Sequence, residues 1–143
     1  MEETNPSKFC DDVDVIKIEE YQLEDDSPLH EEVAFLVRQH FNSKPYIIIN
    51  MSMAQRDAEA LQFDRLEDYM TFIESHEVVH YLEDHLEATD ENEYKADLYG
   101  TALCVLKGYP QAADIGMRRL EERYTLDDTV SECVRNAICD LQS

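Results

Sequence analysis

The sequence predicts an α+β fold that is mainly helical, with a small sheet of two or three strands near the N-terminus. The chain has only three glycines and no tryptophan among its 143 residues, and Leu, Ala and Glu dominate long stretches of it. Two β-branched runs, both before residue 52, supply the strands. A chain of this length encloses one hydrophobic core, so residues 13–143 are expected to form a single domain.

The N-terminal part contains both strand and helix signals. Residues 1–12 are expected to be a polar, flexible leader. A strand is predicted over Val13–Ile18, and a second, buried strand over Lys44–Met51. Between the two strands, Ser27 is a candidate helix cap with Pro28 in the first turn. An apolar stripe then predicts a helix, and its members are Val33, Leu36, Val37 and Phe41.

The middle of the chain contains the longest predicted helix. The stretch SMAQRDAEALQF (residues 52–63) is compatible with a strand, a turn or a helix. After it, Asp64 and Glu67 form a capping-box pattern that begins a helix running from Arg65 to about Leu86. Apolar residues cover most of the circumference of this helix, so it is expected to be central in the fold.

Three further helices are predicted after a polar interruption. Thr89 or Asp90 can cap the first of them, which runs to Lys107. The other two correspond to PQAADIGMRRLEERY (residues 110–124) and DDTVSECVRNAICDL (residues 127–141). The sequence therefore places a helical region after the small sheet.

Charge restricts the function classes. The chain has 33 acidic and 12 basic residues, a formal net charge of -21. This balance argues against binding nucleic acid or an anionic membrane through phosphate contacts. It suits solubility, a basic protein partner, or imitation of nucleic acid toward a DNA-binding protein. No apolar run has the length of a membrane span and no signal peptide is recognisable, so a cytoplasmic location is expected.

The four cysteines show no CxxC pairing. They are expected to be reduced thiols, two or three of them in helix cores. Cys133 and Cys139 are six residues apart, which places them on opposite faces of a helix and argues against a metal pair.

The stretch SHEVVHYLEDHLEATDENEYKADLYG (residues 75–100) contains the candidate site. His76 and His80 are four residues apart, so both imidazoles project from one face of a helix and can meet one zinc ion. Glu77 follows the first histidine and is placed beside such an ion, where a general base could take a proton from water. The same spacing also arises by chance in an acidic chain.

The third ligand comes from the following helix. If the two helices form an antiparallel hairpin that turns near Leu86 and Glu87, Glu93 returns level with His80. Asp97 lies one turn further on the same face, where it can accept a hydrogen bond from a ligating histidine. Alternatively, Glu93 is a capping residue of the DENE pattern that starts at Asp90.

The other histidines have weaker patterns. His85 is a competing ligand, but its spacing from His80 places it off the shared face and favours a solvated surface position. His30 and His40 have no partner pattern and receive no role.

HEVVH followed by ENEYKADLYG resembles the HExxH…ExxAD signature of gluzincin metallopeptidases, in the form found in HtpX-type and CAAX-prenyl-protease-type enzymes. KGYPQAADIGMRRLEERY resembles the helix that follows ExxAD in those proteins, so the resemblance covers about residues 65–125. The absence of membrane spans and the short gap between the motifs make the chain more similar to compact soluble gluzincins such as ImmA/IrrE-like proteins and minigluzincins.

The resemblance implies a zincin-like domain that hydrolyses peptide bonds in a peptide or protein substrate. It implies zinc ligands at His76, His80 and Glu93, a general base at Glu77, and a supporting carboxylate at Asp97. Three tyrosines are open candidates for stabilising the oxyanion, namely Tyr99, Tyr109 and Tyr124. An extended substrate needs the edge of a strand, which PYIIIN or the stretch after it could supply.

The alternative from a different class is a non-catalytic acidic protein that inhibits a basic partner and holds a structural metal. The acidic residues are spread along the whole chain rather than confined to one stripe, which favours general solubility over mimicry.

Overall fold

The computed structural model describes residues 4–19, 22–26, 32–38, 44–60, 65–85, 87 and 89–142. Within them, five helices accompany one four-stranded sheet, so the predicted α+β, mainly helical class is confirmed. The sheet has more strands than the two or three predicted, because β1 (Thr4–Pro6) and β3 (Ala34–Val37) form in segments that were expected to be a leader and a helix. None of the helices in these residues combines the length and the apolar content needed to cross a bilayer.

The sheet has the strand order β1-β2-β4-β3. Strands β2 and β4 are parallel and central, β1 is antiparallel to β2, and β3 is antiparallel to β4. The bounds are β1 Thr4–Pro6, β2 Asp14–Ile18, β3 Ala34–Val37 and β4 Tyr46–Asn50. The edges of the described sheet are therefore β1 and β3.

The N-terminal segment differs from the predicted flexible leader. Thr4–Pro6 pairs with β2, and Phe9 is buried in the core. The buried carboxylate of Glu74 accepts hydrogen bonds from the Ser7 hydroxyl at 2.8 Å and the Lys8 backbone N–H at 2.7 Å. These contacts attach the segment to the central helix, and a reading of local polarity could not detect them.

The prediction of a helix after Ser27 is wrong for the part of this segment that the structure describes. Ala34–Val37 forms β3, with Ala34 opposite Ile49 and Leu36 opposite Ile47. Pairing with β4 outweighs the helical spacing of the apolar residues, because the cross-strand contacts bury Ala34 and partly bury Leu36 and Val37. Ser27, Pro28 and Phe41 lie outside the described residues.

The undecided stretch after β4 is helical as far as Ala60, within α1 (Met51–Ala60), and residues 61–63 lie outside the described residues. Asn50 ends β4 and its side-chain oxygen accepts the N–H of Met53 at 3.0 Å, which caps the first turn. The strand is thus followed directly by a helix.

The remaining helices follow the predicted order. Their bounds are α2 Leu66–Leu82, α3 Asp90–Leu106, α4 Pro110–Arg123 and α5 Asp128–Gln142. Ten of the 17 residues of α2 are buried, which confirms its central position. It ends at Leu82 instead of Leu86. Arg65 is its N-cap and makes no side-chain capping bond, while Asp64 lies outside the described residues.

The cysteines are less buried than predicted. Cys104 is fully buried in α3, Cys10 is partly buried, and Cys133 and Cys139 are exposed on α5. All four are free thiols. The exposure of the last two follows from the packing of α5, which buries Ile138 but leaves most of its surface open.

Candidate metal centre

Helices α2 and α3 form the predicted antiparallel hairpin. His80 lies beside Glu93, and Ser75 lies beside Cys104, so residue numbers fall along α2 as they rise along α3. The helices approach closely at Gly100. A Cβ atom there would lie 3.0 Å from Ser75 Oγ and 3.1 Å from the backbone nitrogen of His76. The absence of a side chain at Gly100 therefore permits the spacing of the hairpin.

Three side chains converge between these helices. Nε2 of His76 and Nε2 of His80 are 3.1 Å apart. Each lies 3.2 Å from a carboxylate oxygen of Glu93. Zinc–ligand bonds of about 2.0–2.2 Å at tetrahedral angles place neighbouring ligand atoms about 3.3–3.6 Å apart. The three residues could therefore hold a zinc ion with only small adjustments.

Glu93 does not act as a helix cap. Thr89 is the N-cap of α3, and its side-chain oxygen accepts the N–H of Asn92 at 3.1 Å. The carboxylate of Glu93 does not take part in this cap and faces His76 and His80.

Asp97 lies within hydrogen-bond distance of the first histidine, at the position expected from the spacing. Its carboxylate is fully buried, and Oδ1 lies 2.8 Å from Nδ1 of His76. Arg119 approaches the same oxygen at 3.2 Å from α4, and the Tyr124 hydroxyl donates to Oδ2 at 3.4 Å. Arg119 has no recognisable signal in the sequence, because nothing local indicates which residue of α4 faces α3.

The electrostatics of the cluster favour a cation. Burial alone would lower the pKa of His76, but hydrogen bonds with Asp97 and Glu93 raise it to about 9. Hydrogen bonds with His76 and His80 hold the pKa of Glu93 well below its ordinary value. Burial would raise the pKa of Asp97, but the hydrogen bond from His76 and the charge of Arg119 keep it low. The two carboxylates therefore stabilise positive charge on His76.

A cleft of about 280 Å³ opens beside the cluster. Its lining includes three residues of β3 and three acidic or imidazole side chains from α2 and α3, namely Ala34, Phe35, Leu36, Glu77, His80 and Glu93. Glu77 is partly buried, and this burial raises the pKa of its carboxyl group, with a smaller opposing influence from the neighbouring histidines. Glu77 thus shares a cleft with two of the candidate ligands, as the motif predicts.

The predicted source of a strand edge was wrong. PYIIIN is the central strand β4, which is paired on both sides, and the stretch after it is α1. The edge beside the cleft is β3, which pairs with β4 alone among the described strands.

His85 is not the solvated side chain that helical spacing predicts. It lines the cleft, and its Nδ1 lies 3.0 Å from Nδ1 of His80, the ring nitrogen that faces away from Glu93. It therefore lies behind a candidate ligand and not among the converging donor atoms. Arg38 also lines the cleft and donates hydrogen bonds to the carbonyls of His80 and His85. His30 and His40 lie outside the described residues.

The three candidate tyrosines have other surroundings. Tyr124 bonds to Asp97, Tyr109 packs its ring against Phe9, and Tyr99 is exposed on α3. None of them lines the cleft in the described part of the chain.

Comparison of the chain with protein-family models, curated proteins and solved structures found no match.

Proposed function

We propose that the protein is a zinc-dependent metallopeptidase, with His76, His80 and Glu93 as zinc ligands and Glu77 as general base. One observation carries the proposal. Nε2 of His76 and Nε2 of His80 are 3.1 Å apart and each lies 3.2 Å from one oxygen of the Glu93 carboxylate, and Glu77 lines the same cleft. A structural zinc site usually closes four positions with Cys or His, whereas these three ligands leave one position open.

The edge of β3 supports a peptide as the substrate. An extended peptide can add to an exposed strand edge through backbone hydrogen bonds, while its side chains enter neighbouring pockets. Strand β3 offers such an edge along the cleft, and the side chain of Phe35 is 43% exposed there. A peptide bound in this way passes beside Glu77.

The proposed reaction is hydrolysis of a peptide bond. Zinc, when bound, supplies a Lewis acid that makes water more acidic and polarises the carbonyl group. Glu77 removes one proton from the water molecule while the oxygen of that water attacks the carbonyl carbon of the peptide. Glu77 then gives this proton to the leaving nitrogen as the C–N bond breaks. The products are a new carboxyl group and a new amine.

Asp97 has a separate task. By accepting the Nδ1 proton of His76, it leaves Nε2 of that ring with the lone pair needed for a metal. The hydrogen bond from His76, together with the charge of Arg119, keeps the pKa of Asp97 low despite its burial. The cytoplasmic location expected from the sequence stays a prediction.

The substitution Glu77→Gln tests the proposal. The zinc-loaded variant is compared with the wild type on a mixture of fluorogenic peptides, with His80→Ala as a metal-free reference. Glu122→Gln, an exposed glutamate on α4, is the matched control. We expect Glu77→Gln to keep its zinc and to lose activity by about a hundredfold or more.

Equal cleavage by Glu77→Gln and wild type, in preparations free of other proteases, would exclude Glu77 as the base. If neither protein cleaves peptides and both bind a basic protein in a salt-sensitive way after chelation, the acidic-inhibitor alternative replaces the peptidase.

A further inference from the structure

His85 is the histidine of the cleft to which the proposed reaction gives no role. Its Nδ1 is 3.0 Å from Nδ1 of His80, within hydrogen-bond distance. The rings meet edge to face, with centroids 5.2 Å apart and planes at 70°. This geometry directs a nitrogen of His85 at the side of His80 that faces away from the candidate metal position.

The hydrogen bond has one compatible proton arrangement when His80 binds a metal. Nε2 of His80 must then offer a lone pair, so its proton resides on Nδ1. That N–H donates to Nδ1 of His85, which accepts and carries its own proton on Nε2. His76 has the corresponding arrangement with Asp97 as acceptor. Each imidazole of the pair thus has its own hydrogen-bond acceptor behind it.

The backbone is built to hold His85 in this place. Helix α2 ends at Leu82, and Asp84 adopts a left-handed conformation with φ of 53°. The chain therefore turns back, and the N–H of His85 donates to the carbonyl of His80 at 2.9 Å. Arg38 donates to the carbonyls of both histidines and to Oδ1 of Asp84.

We propose that His85 is a positioning residue that holds His80 in the ring orientation and tautomer required for binding zinc through Nε2. This inference rests on the proposed zinc site but not on the hydrolysis. A partner of this kind typically changes metal affinity by ten- to a hundredfold. His85 itself stays outside the set of zinc ligands.

The test compares His85→Ala, which removes the acceptor, with His85→Asn, whose side-chain oxygen can replace Nδ1. Zinc affinity is measured by competition with a chromophoric chelator. Long-range ¹H–¹⁵N spectra of the zinc-loaded proteins report which nitrogen of each histidine carries the proton. Circular dichroism verifies that both variants are folded.

We expect zinc affinity to fall by about ten- to a hundredfold in His85→Ala and to recover in His85→Asn. The hydrogen-bonded Nδ1 proton of His80 should disappear from the spectrum of His85→Ala and return with Asn. The Nδ1 proton of His76, held by Asp97, should persist in every protein and serves as the internal reference.

Unchanged zinc affinity in His85→Ala would overturn the positioning role while leaving the proposed function intact. The positioning role would also be overturned if the ¹H–¹⁵N spectrum showed that a nitrogen of His85 binds zinc directly. Failure of the wild type to bind zinc would exclude both proposals, whereas zinc binding without peptidase activity would exclude the peptidase alone.

Discussion

Oδ1 of Asp97 lies 2.8 Å from Nδ1 of His76, across the interface between α2 and α3. The two residues are 21 positions apart in the chain, and both side chains are almost completely buried. This contact joins the two halves of the hairpin behind the candidate metal position. It also binds the hairpin to α4, because the same carboxylate oxygen lies 3.2 Å from Arg119.

Asp97→Asn should weaken zinc binding by about ten- to a hundredfold. The amide oxygen can still accept from His76, but it carries no charge to strengthen that bond or to balance Arg119. Competition titration with a chelator measures the change, and Asp12→Asn, at an exposed position, is the control. Equal zinc affinity in the wild type and Asp97→Asn would remove the supporting role of Asp97.

Chelation should destabilise the protein. The wild type is expected to bind about one zinc ion per chain, measured by native mass spectrometry. Zinc at a hundred times its dissociation constant adds about 2.7 kcal/mol to the free energy of unfolding. Removing it should lower the melting temperature by about 8 °C in a chain of this size. The melting temperature of His80→Ala should not change on chelation. Full zinc affinity in Glu93→Gln would mean that another residue is the third ligand.

Gly100→Ala should weaken zinc binding because it increases the distance between α2 and α3. The new methyl group would press on Ser75 Oγ and on the backbone of His76, so α3 must move by a few tenths of an ångström and carry Glu93 with it. The change in the free energy of unfolding should be small, because the cost of the tight contacts is offset by the preference of a helix for alanine over glycine, about 1 kcal/mol.

The control for this substitution is Gly108→Ala. Gly108 has a φ of 81°, and its Cβ would meet nothing within 4 Å. Alanine there should reduce stability by about 1–2 kcal/mol through backbone strain and leave zinc affinity unchanged. If both variants bind zinc like the wild type, the spacing at Gly100 does not govern the site.

The thiols should react with iodoacetamide in the order of their exposure. Cys133 and Cys139 are exposed, whereas Cys104 is fully buried and burial raises its pKa to about 11. At pH 8 a thiol with that pKa is about one part in a thousand thiolate. Mass spectrometry of peptides from the native protein should detect modification of Cys133 and Cys139 first. Early modification of Cys104 would contradict the packing of α3 against α2.

The prediction of the hairpin succeeded because helix periodicity is a local property. The four-residue steps from His76 to His80 and from Glu93 to Asp97 place each pair on one helix face. Antiparallel packing then brings the two faces together. Arg119 was not predictable in this way, because its contact with Asp97 depends on how α4 crosses α3.

Two errors have the same physical origin. The helix predicted near Val33 became β3, because pairing with β4 decides the conformation of a short apolar segment. The solvated position predicted for His85 assumed that the helix continues to Leu86. The helix instead ends at Leu82, and the left-handed Asp84 turns His85 back toward His80. In both cases tertiary contacts outweigh a local pattern.

Arg38 has a consequence for how two ligands would influence each other. It follows β3 directly and donates hydrogen bonds to the carbonyls of His80 and His85, so it connects the edge strand to the end of the helix that carries the candidate ligand His80. Thermodynamic linkage makes any coupling through this joint reciprocal. If zinc tightens the binding of a peptide to β3 by some factor, that peptide must tighten the binding of zinc by the same factor. A peptide docked on the edge would then slow the loss of the metal to a chelator.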